Sequence, residues 1–60
     1  MTVKVNQILK HSKYSRYFIV VDFWDDTVYG YVRIIDLNTK EIYIVHKGTL
    51  QVNYVVISED

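Results

Sequence analysis

The chain has 60 residues, half of them apolar, with seven basic and seven acidic side chains and no net formal charge. So short a chain forms one domain, residues 1–60, and buries only about 60 % of its unfolded surface. The lack of cysteine excludes a disulfide framework, two histidines leave too few ligands for a structural zinc site, and the balanced charge argues against a general nucleic-acid coat.

The hydropathy pattern predicts a cytoplasmic protein with no role in a membrane. No apolar run approaches the roughly 20 residues that cross a bilayer. Near the N-terminus, polar residues that include Lys4 alternate with apolar ones, which does not fit the apolar core of a signal peptide.

The run Tyr17–Trp24 is the most apolar and most β-prone stretch, and it predicts a central strand. Alternate residues divide it into two faces. The face that we assign to the core carries Tyr17, Ile19, Val21 and Phe23. The opposite face carries Phe18, Val20, Asp22 and Trp24.

Two further strands flank this run in the sequence. Residues 2–9 predict a first strand with Val3 and Val5 facing inward, followed by a polar loop at 10–15. Asp25 and Asp26 predict a two-residue turn, which sets Phe23 opposite Val28 at the start of a third strand, 28–37. The inward residues of that strand are Val28, Val32 and Ile34.

The last two strands follow from turn length. A three-residue turn at 38–40 aligns Ile34 with Ile44, which places Ile42 and Ile44 inward in a fourth strand, 41–46. A turn at 47–49 then leads to a fifth strand, 50–58, and residues 59–60 form an acidic tail. The inward residues of the fifth strand are Leu50, Val52, Tyr54 and Val56.

Five short strands joined by tight turns predict an all-β fold, a strongly bent antiparallel meander. It forms either a small SH3-like barrel or an open curved sheet that dimerises. The short loops fit an OB-fold less well.

The order of turns and strands in residues 17–45 supports the first of these folds. An acidic turn is followed by a strand ending Arg33-Ile34-Ile35-Asp36 and by the turn Leu37-Asn38-Thr39-Lys40-Glu41. This half of the chain resembles the hairpin core of SH3-like small barrels, including Tudor domains. In Tudor domains the second turn often reads Asp-Tyr-Gly-Asn, whereas Leu37 stands in place of the Tyr here. The resemblance implies a small barrel with the loop after the first strand at the ligand edge.

The face opposite the predicted core is rich in Tyr, Trp and Arg, the residue types that dominate binding hot spots. Either a partner covers this face, or a bent barrel buries part of it. Asp22, a lone acid in the central strand, either meets a partner's cation, or lies at an edge or rim position in water, or bonds to Tyr29, its predicted cross-strand neighbour. The candidate partner-binding residues are Phe18, Asp22, Trp24, Tyr29, Tyr31, Arg33 and Tyr43.

A second candidate surface is the basic stretch 10–17, where cations alternate with tyrosines. Such a pattern can bind phosphates while its rings stack on bases, although most runs of this kind are solvated loops. The candidate nucleic-acid-binding residues are Lys10, Lys13, Tyr14, Arg16 and Tyr17.

Catalysis finds little support in the sequence. His11 and Ser12 have no acid nearby, Asp25 and Asp26 share a turn without a cleft, and there is no phosphate loop or metal spacing. We therefore expect no enzyme activity, metal or cofactor.

The sequence thus predicts a non-enzymatic protein-binding module, a small regulator or inhibitor of a type that includes phage-encoded proteins. Its partner is another protein or its own copy in a homodimer. The alternative is a nucleic-acid-binding small barrel.

Overall fold

The computed structural model of the chain describes residues 3–24 and 29–57. These residues form one antiparallel sheet of five strands and one short helix. The elements are β1 Ile8–His11, β2 Tyr17–Trp24, β3 Tyr31–Asp36, β4 Ile42–His46, α1 Lys47–Asn53 and β5 Tyr54–Val56. The predictions made for Thr2, Asp25, Asp26, Val28, Ser58 and the acidic tail lie outside the described residues.

The strands lie in the order β4-β3-β2-β1-β5, with every neighbouring pair antiparallel. This order confirms the all-β antiparallel meander and places β2 in the centre, with the predicted bounds. β4 and β5 are the two edges, and the described strands do not close into a barrel. The helix in this part of the chain has seven residues, so no described helix is long enough to cross a membrane.

The alternation of side chains in β2 is interrupted at Val21. Val20 pairs with Ile34, but Asp22 pairs with Arg33, so Val21 is the extra residue of a β-bulge. A bulge sets two residues against one and switches the inward side of the strand. Phe18 and Val20 are therefore buried before the bulge.

After the bulge, Phe23 packs against the core. The prediction that Tyr17, Ile19 and Val21 face the core is wrong, whereas that for Phe23 is confirmed. The predicted pairing of Phe23 with Val28 is also wrong, because Phe23 lies opposite Val32.

The turn between β3 and β4 has one residue more than predicted. The backbone N–H of Asp36 donates to the carbonyl of Glu41 at 2.9 Å, and Lys40 takes a left-handed φ of 68°. Ile34 therefore pairs with Tyr43 rather than with Ile44. This shift reverses the faces of β4, so that the inward residues are Tyr43 and Val45 and the outward residues Ile42 and Ile44.

Residues 47–53, predicted as a turn and the start of a strand, form helix α1 instead. The ring nitrogen Nδ1 of His46 accepts the backbone N–H of Gly48 at 3.0 Å and caps the first turn. Leu50 is only 1 % exposed, whereas Val52, predicted to face inward, is 77 % exposed. A helix this short rises about 10 Å, and four strand spacings of a flat sheet span about 19 Å, so the sheet must curl to bring β4 and β5 to its ends.

The core lies between the curled sheet and α1. Val3 packs against it as predicted, but Val5 is exposed and β1 begins later than expected. The fully buried apolar side chains are Leu9, Phe18, Val20, Val32, Ile34 and Leu50, and those packed around them are Val3, Phe23, Tyr43, Val45, Tyr54 and Val56.

Truncating the one buried side chain of α1 tests this arrangement. We expect Leu50→Ala to lower the free energy of unfolding by about 2–5 kcal/mol, because it opens a cavity under the helix. The matched control, Val52→Ala in the same helix, should change it by about 0.5 kcal/mol or less. Urea unfolding followed by circular dichroism measures both. Equal effects of the two substitutions would contradict the inward position of Leu50.

Candidate functional site

The sheet face turned away from the core, here called the outer face, carries a row of isoleucines across the strands. Ile42 lies opposite Ile35, Ile35 opposite Ile19, and Ile19 opposite Ile8. The backbone N–H of Ile57 donates to the carbonyl of Ile8 at 2.9 Å, which continues the row beyond β5. A β-branched side chain thus occupies one outward position on each strand or just after it.

An aromatic groove opens beside this row, where β2 leaves the sheet and β3 enters it. Trp24 lies directly opposite Tyr31, whose ring meets the His46 ring edge-on at 5.4 Å. Together with its neighbours, this pair lines a shallow groove of about 430 Å³. The lining residues are Trp24, Tyr29, Gly30, Tyr31 and Ile44.

An ion pair lies between the groove and the isoleucine row. Asp22 and Arg33 are cross-strand neighbours, and the Arg33 Nε donates to Asp22 Oδ1 at 3.0 Å while Nη2 donates to Oδ2. The Arg33 hydrogen bonds lower the pKa of the Asp22 carboxyl, and the same contact raises the pKa of Arg33. The predicted Tyr29 neighbour of Asp22 is wrong, because the bulge and the later start of β3 place Arg33 there.

Much of the outer face is exposed and apolar. Trp24 is 65 % exposed, Ile42 58 % and Ile44 55 %. Single exposed apolar residues are ordinary, but these side chains share one face of the sheet and form an apolar patch there. The paired charges of Asp22 and Arg33 add polarity to the patch without adding net charge.

The structure brings most of the predicted partner-binding residues to this one face. Those on or beside it are Asp22, Trp24, Tyr29, Tyr31 and Arg33. Phe18 and Tyr43, which were placed on the same face, belong to the opposite side. Phe18 is fully buried, and Tyr43 packs edge-on against it with 6.1 Å between ring centroids. The β2 bulge changes the face on which Phe18 lies, and the longer turn before β4 changes the face on which Tyr43 lies.

Arg16 and Asp36 form an anchor at the other end of the sheet. The buried Asp36 carboxylate accepts from Arg16 Nε at 3.2 Å and Nη2 at 2.9 Å, and from the backbone N–H groups of Asn38 at 2.7 Å and Thr39 at 3.0 Å. The Thr39 N–H, followed by Arg16, lowers the pKa of the Asp36 carboxyl. An Asp side chain that accepts the backbone N–H two residues on is typical of such a turn, and the sequence Asp36-Leu37-Asn38-Thr39 contained this signal.

Two cations of the basic stretch predicted to bind nucleic acid, Arg16 and Lys10, make hydrogen bonds within the chain. Arg16 also donates to the Tyr43 hydroxyl at 3.1 Å and lies over the Phe18 ring at 5.2 Å. Lys10 Nζ donates to the backbone carbonyls of His11 at 3.1 Å and Tyr14 at 3.4 Å. Of the cations Lys10, Lys13 and Arg16, the first and the last therefore donate to other groups of the chain.

The remaining members of the basic stretch lie at the surface. Lys13 is exposed, and its backbone N–H donates to His11 Nδ1 at 3.1 Å. The Tyr14 ring lies 4.9 Å from that of His11. Tyr17 is exposed and lines a second groove, of about 610 Å³, beside the Asp36 turn.

Neither groove holds a metal-binding cluster. Across residues 3–24 and 29–57, no three His, Asp or Glu side chains lie close enough to bind a metal ion. Comparisons with protein-family models, with curated protein sequences and with solved structures find no match to this chain.

The Asp36 anchor makes stability depend on pH in a defined direction. A lowered folded pKa stabilises the protein above the unfolded carboxyl pKa of about 3.9, and that contribution is lost as the pH falls through the folded pKa. We therefore expect Asp36→Asn to have a lower urea midpoint than the parent chain at pH 7, and the gap to close below about pH 4. A gap that stays constant with pH would contradict the role given to the charged carboxylate.

Proposed function

We propose that the chain is a small, non-enzymatic protein-binding domain, a regulator or inhibitor that acts through its outer sheet face. The observation that carries this proposal is the contiguous apolar surface formed by the isoleucine row and the aromatic groove. A partner that covers this surface would remove the apolar area that the chain itself leaves in water.

The aromatic groove supplies the residue types expected at the centre of such a contact. Trp and Tyr bury large areas with few rotatable bonds, and Arg offers a planar set of donors. Trp24 is 65 % exposed, so a partner that covers its ring removes a large apolar area from water. The Arg33 guanidinium, already oriented by Asp22, can meet a partner's backbone carbonyl or carboxylate at the edge of the groove.

At the level of fold, we propose a relation to SH3-like small barrels. Support comes from the strand order, because β5 returns to pair with β1 after α1 links it to the far edge strand. That order brings the two ends of the sheet toward each other over the helix, as a small barrel requires.

The test is partner capture with matched variants. The immobilised chain first captures proteins from a lysate of its source organism. The captured partner is then purified, and its affinity for each variant of the chain is measured. We expect Trp24→Ala and Tyr31→Ala to weaken binding at least about 10-fold, the effect of a hot-spot loss of about 1.4 kcal/mol. Val52→Ala, an exposed truncation on α1 away from the outer face, should leave binding unchanged. Equal binding by all variants would refute the outer-face site.

The nucleic-acid alternative makes a different prediction. Because Arg16 is paired with Asp36, Lys10 and Lys13 are the two cations of the stretch 10–17 that remain to displace counterions. We expect labelled single-stranded DNA or RNA to bind weakly, with almost no dependence of log K on log salt. Fluorescence anisotropy between about 50 and 200 mM salt measures this slope. A steep slope that Lys13→Ala reduces would favour the alternative.

A further inference from the structure

The edge strand β4 directs one set of backbone groups away from the sheet. The N–H of Asp36 donates to the Glu41 carbonyl, and the N–H of Lys47 donates to the Gly30 carbonyl. In an antiparallel pair, such hydrogen-bonded positions recur at every second residue. The N–H and C=O groups of Ile42 and Ile44 and the N–H of His46 therefore point to the edge, whereas the His46 C=O, at the N-cap of α1, accepts the first hydrogen bond of the helix.

This edge lacks the devices by which sheets avoid pairing with another chain. Within β4 there is no proline, no charged residue and no bulge, and Ile42 and Ile44 expose their side chains on the outer face. The opposite edge differs, because β5 has only three residues. Of the two edges, β4 is the better template for an added strand.

We infer that β4 pairs with β4 of a second copy of this chain, antiparallel about a two-fold axis at Ile44. In that register Ile44 lies opposite Ile44 of the second copy, and Ile42 lies opposite its His46. The two Ile44 residues exchange two N–H···O bonds, and the His46 N–H of each copy donates to the Ile42 carbonyl of the other, which gives about four new bonds in total. The interface is self-complementary, as two-fold symmetry requires.

The same register also brings opposite charges near each other. Glu41 of one copy lies beside the start of α1 of the other, where Lys47 is the first residue and its Nζ lies 5.2 Å from the Phe23 ring centroid of its own chain, and symmetry repeats the contact. A strand of five residues is about 17 Å long, so the interface is small and lies in the transient size class. We accordingly expect a dissociation constant on the order of micromolar.

The dimer extends the outer face over both copies. Ile44 lines the aromatic groove and also lies on the axis, so the two grooves open on the same side and adjoin there, with their Trp24 side chains about 25–30 Å apart. A partner with two contact sites gains effective concentration from this spacing. The inference goes beyond the proposed function, since a monomer could still bind a partner through one groove.

Single cysteine variants test the register, because the chain has no cysteine of its own. Paired residues across a hydrogen-bonded position lie about 5.5 Å apart between Cα atoms, within reach of a disulfide. We expect Ile44→Cys to form a covalent dimer under mild oxidation. Ile42→Cys is the matched control, on the same strand and similarly exposed, but its own counterpart lies about 13 Å along the strand and should remain monomeric.

Sedimentation velocity from about 1 µM to about 1 mM completes the test with charge variants. We expect the parent chain to dimerise, Ile42→Lys to stay monomeric, and Ile57→Lys, 52 % exposed at the far side of the sheet, to dimerise normally. Preferential cross-linking of Ile42→Cys, a parent chain that remains monomeric throughout, or dissociation by Ile57→Lys would each overturn the inference. Loss of partner binding in Trp24→Ala is a separate result that leaves the dimer intact.

Discussion

One extra residue in the central strand decides how the molecule divides its apolar side chains. The bulge at Val21 turns Phe18 and Val20 inward before it and Phe23 inward after it. A regular strand would send either the first two or the last to the wrong side. With the bulge, both halves of β2 supply the core, and Trp24 is left facing outward beside Tyr31.

The size of the chain then limits what can be covered. A domain of this length has material for one small core, and α1, the helix within the described residues, lies over the concave side with Leu50 inserted. No described element lies over the outer face. Apart from the paired Asp22 and Arg33, most of the side chains that remain there are β-branched or aromatic, which suits a strand surface but not a surface in water.

The hydrogen-bonded anchor at Asp36 connects these features. Its carboxylate fixes the turn after β3 by accepting two backbone N–H groups, and it holds Arg16 against the start of β2. The extra residue of that turn reverses β4, which sends Ile42 and Ile44 to the outer face. The anchor thus contributes to the apolar surface as well as to stability, although it lies at the opposite end of the sheet from the aromatic groove.

The sequence predicted the elements whose signal is strong and failed where one residue changes a register. The bounds of β2 were correct because residues 17–24 form a β-prone run without Gly or Pro. Val32 and Ile34 were correctly assigned to the core. The predicted faces of β4 were wrong because the sequence Asn-Thr-Lys gives no signal that Lys40 takes a left-handed backbone conformation. Helix α1 was missed because it buries one residue and so shows no helical period.

The candidate site follows the same division. Trp24, Tyr29, Tyr31 and Arg33 were assigned to the face opposite the predicted core by alternation and residue type together, and the structure brings them together. Phe18 was selected by alternation and lies in the core. The Asp22–Arg33 pair was not predicted, since it depends on the bulge and on the later start of β3.

The central claim is that the core lies on the Ile34 side of the sheet and that the Ile42 side remains open to water in the free chain. NMR line broadening of isoleucine methyl groups by a soluble gadolinium complex, in dilute protein, measures this directly. We expect strong broadening for Ile42 and Ile57 and almost none for Ile34. Equal broadening of Ile34 and Ile42, or protection of Ile42, would show that the Ile42 side is not the open one.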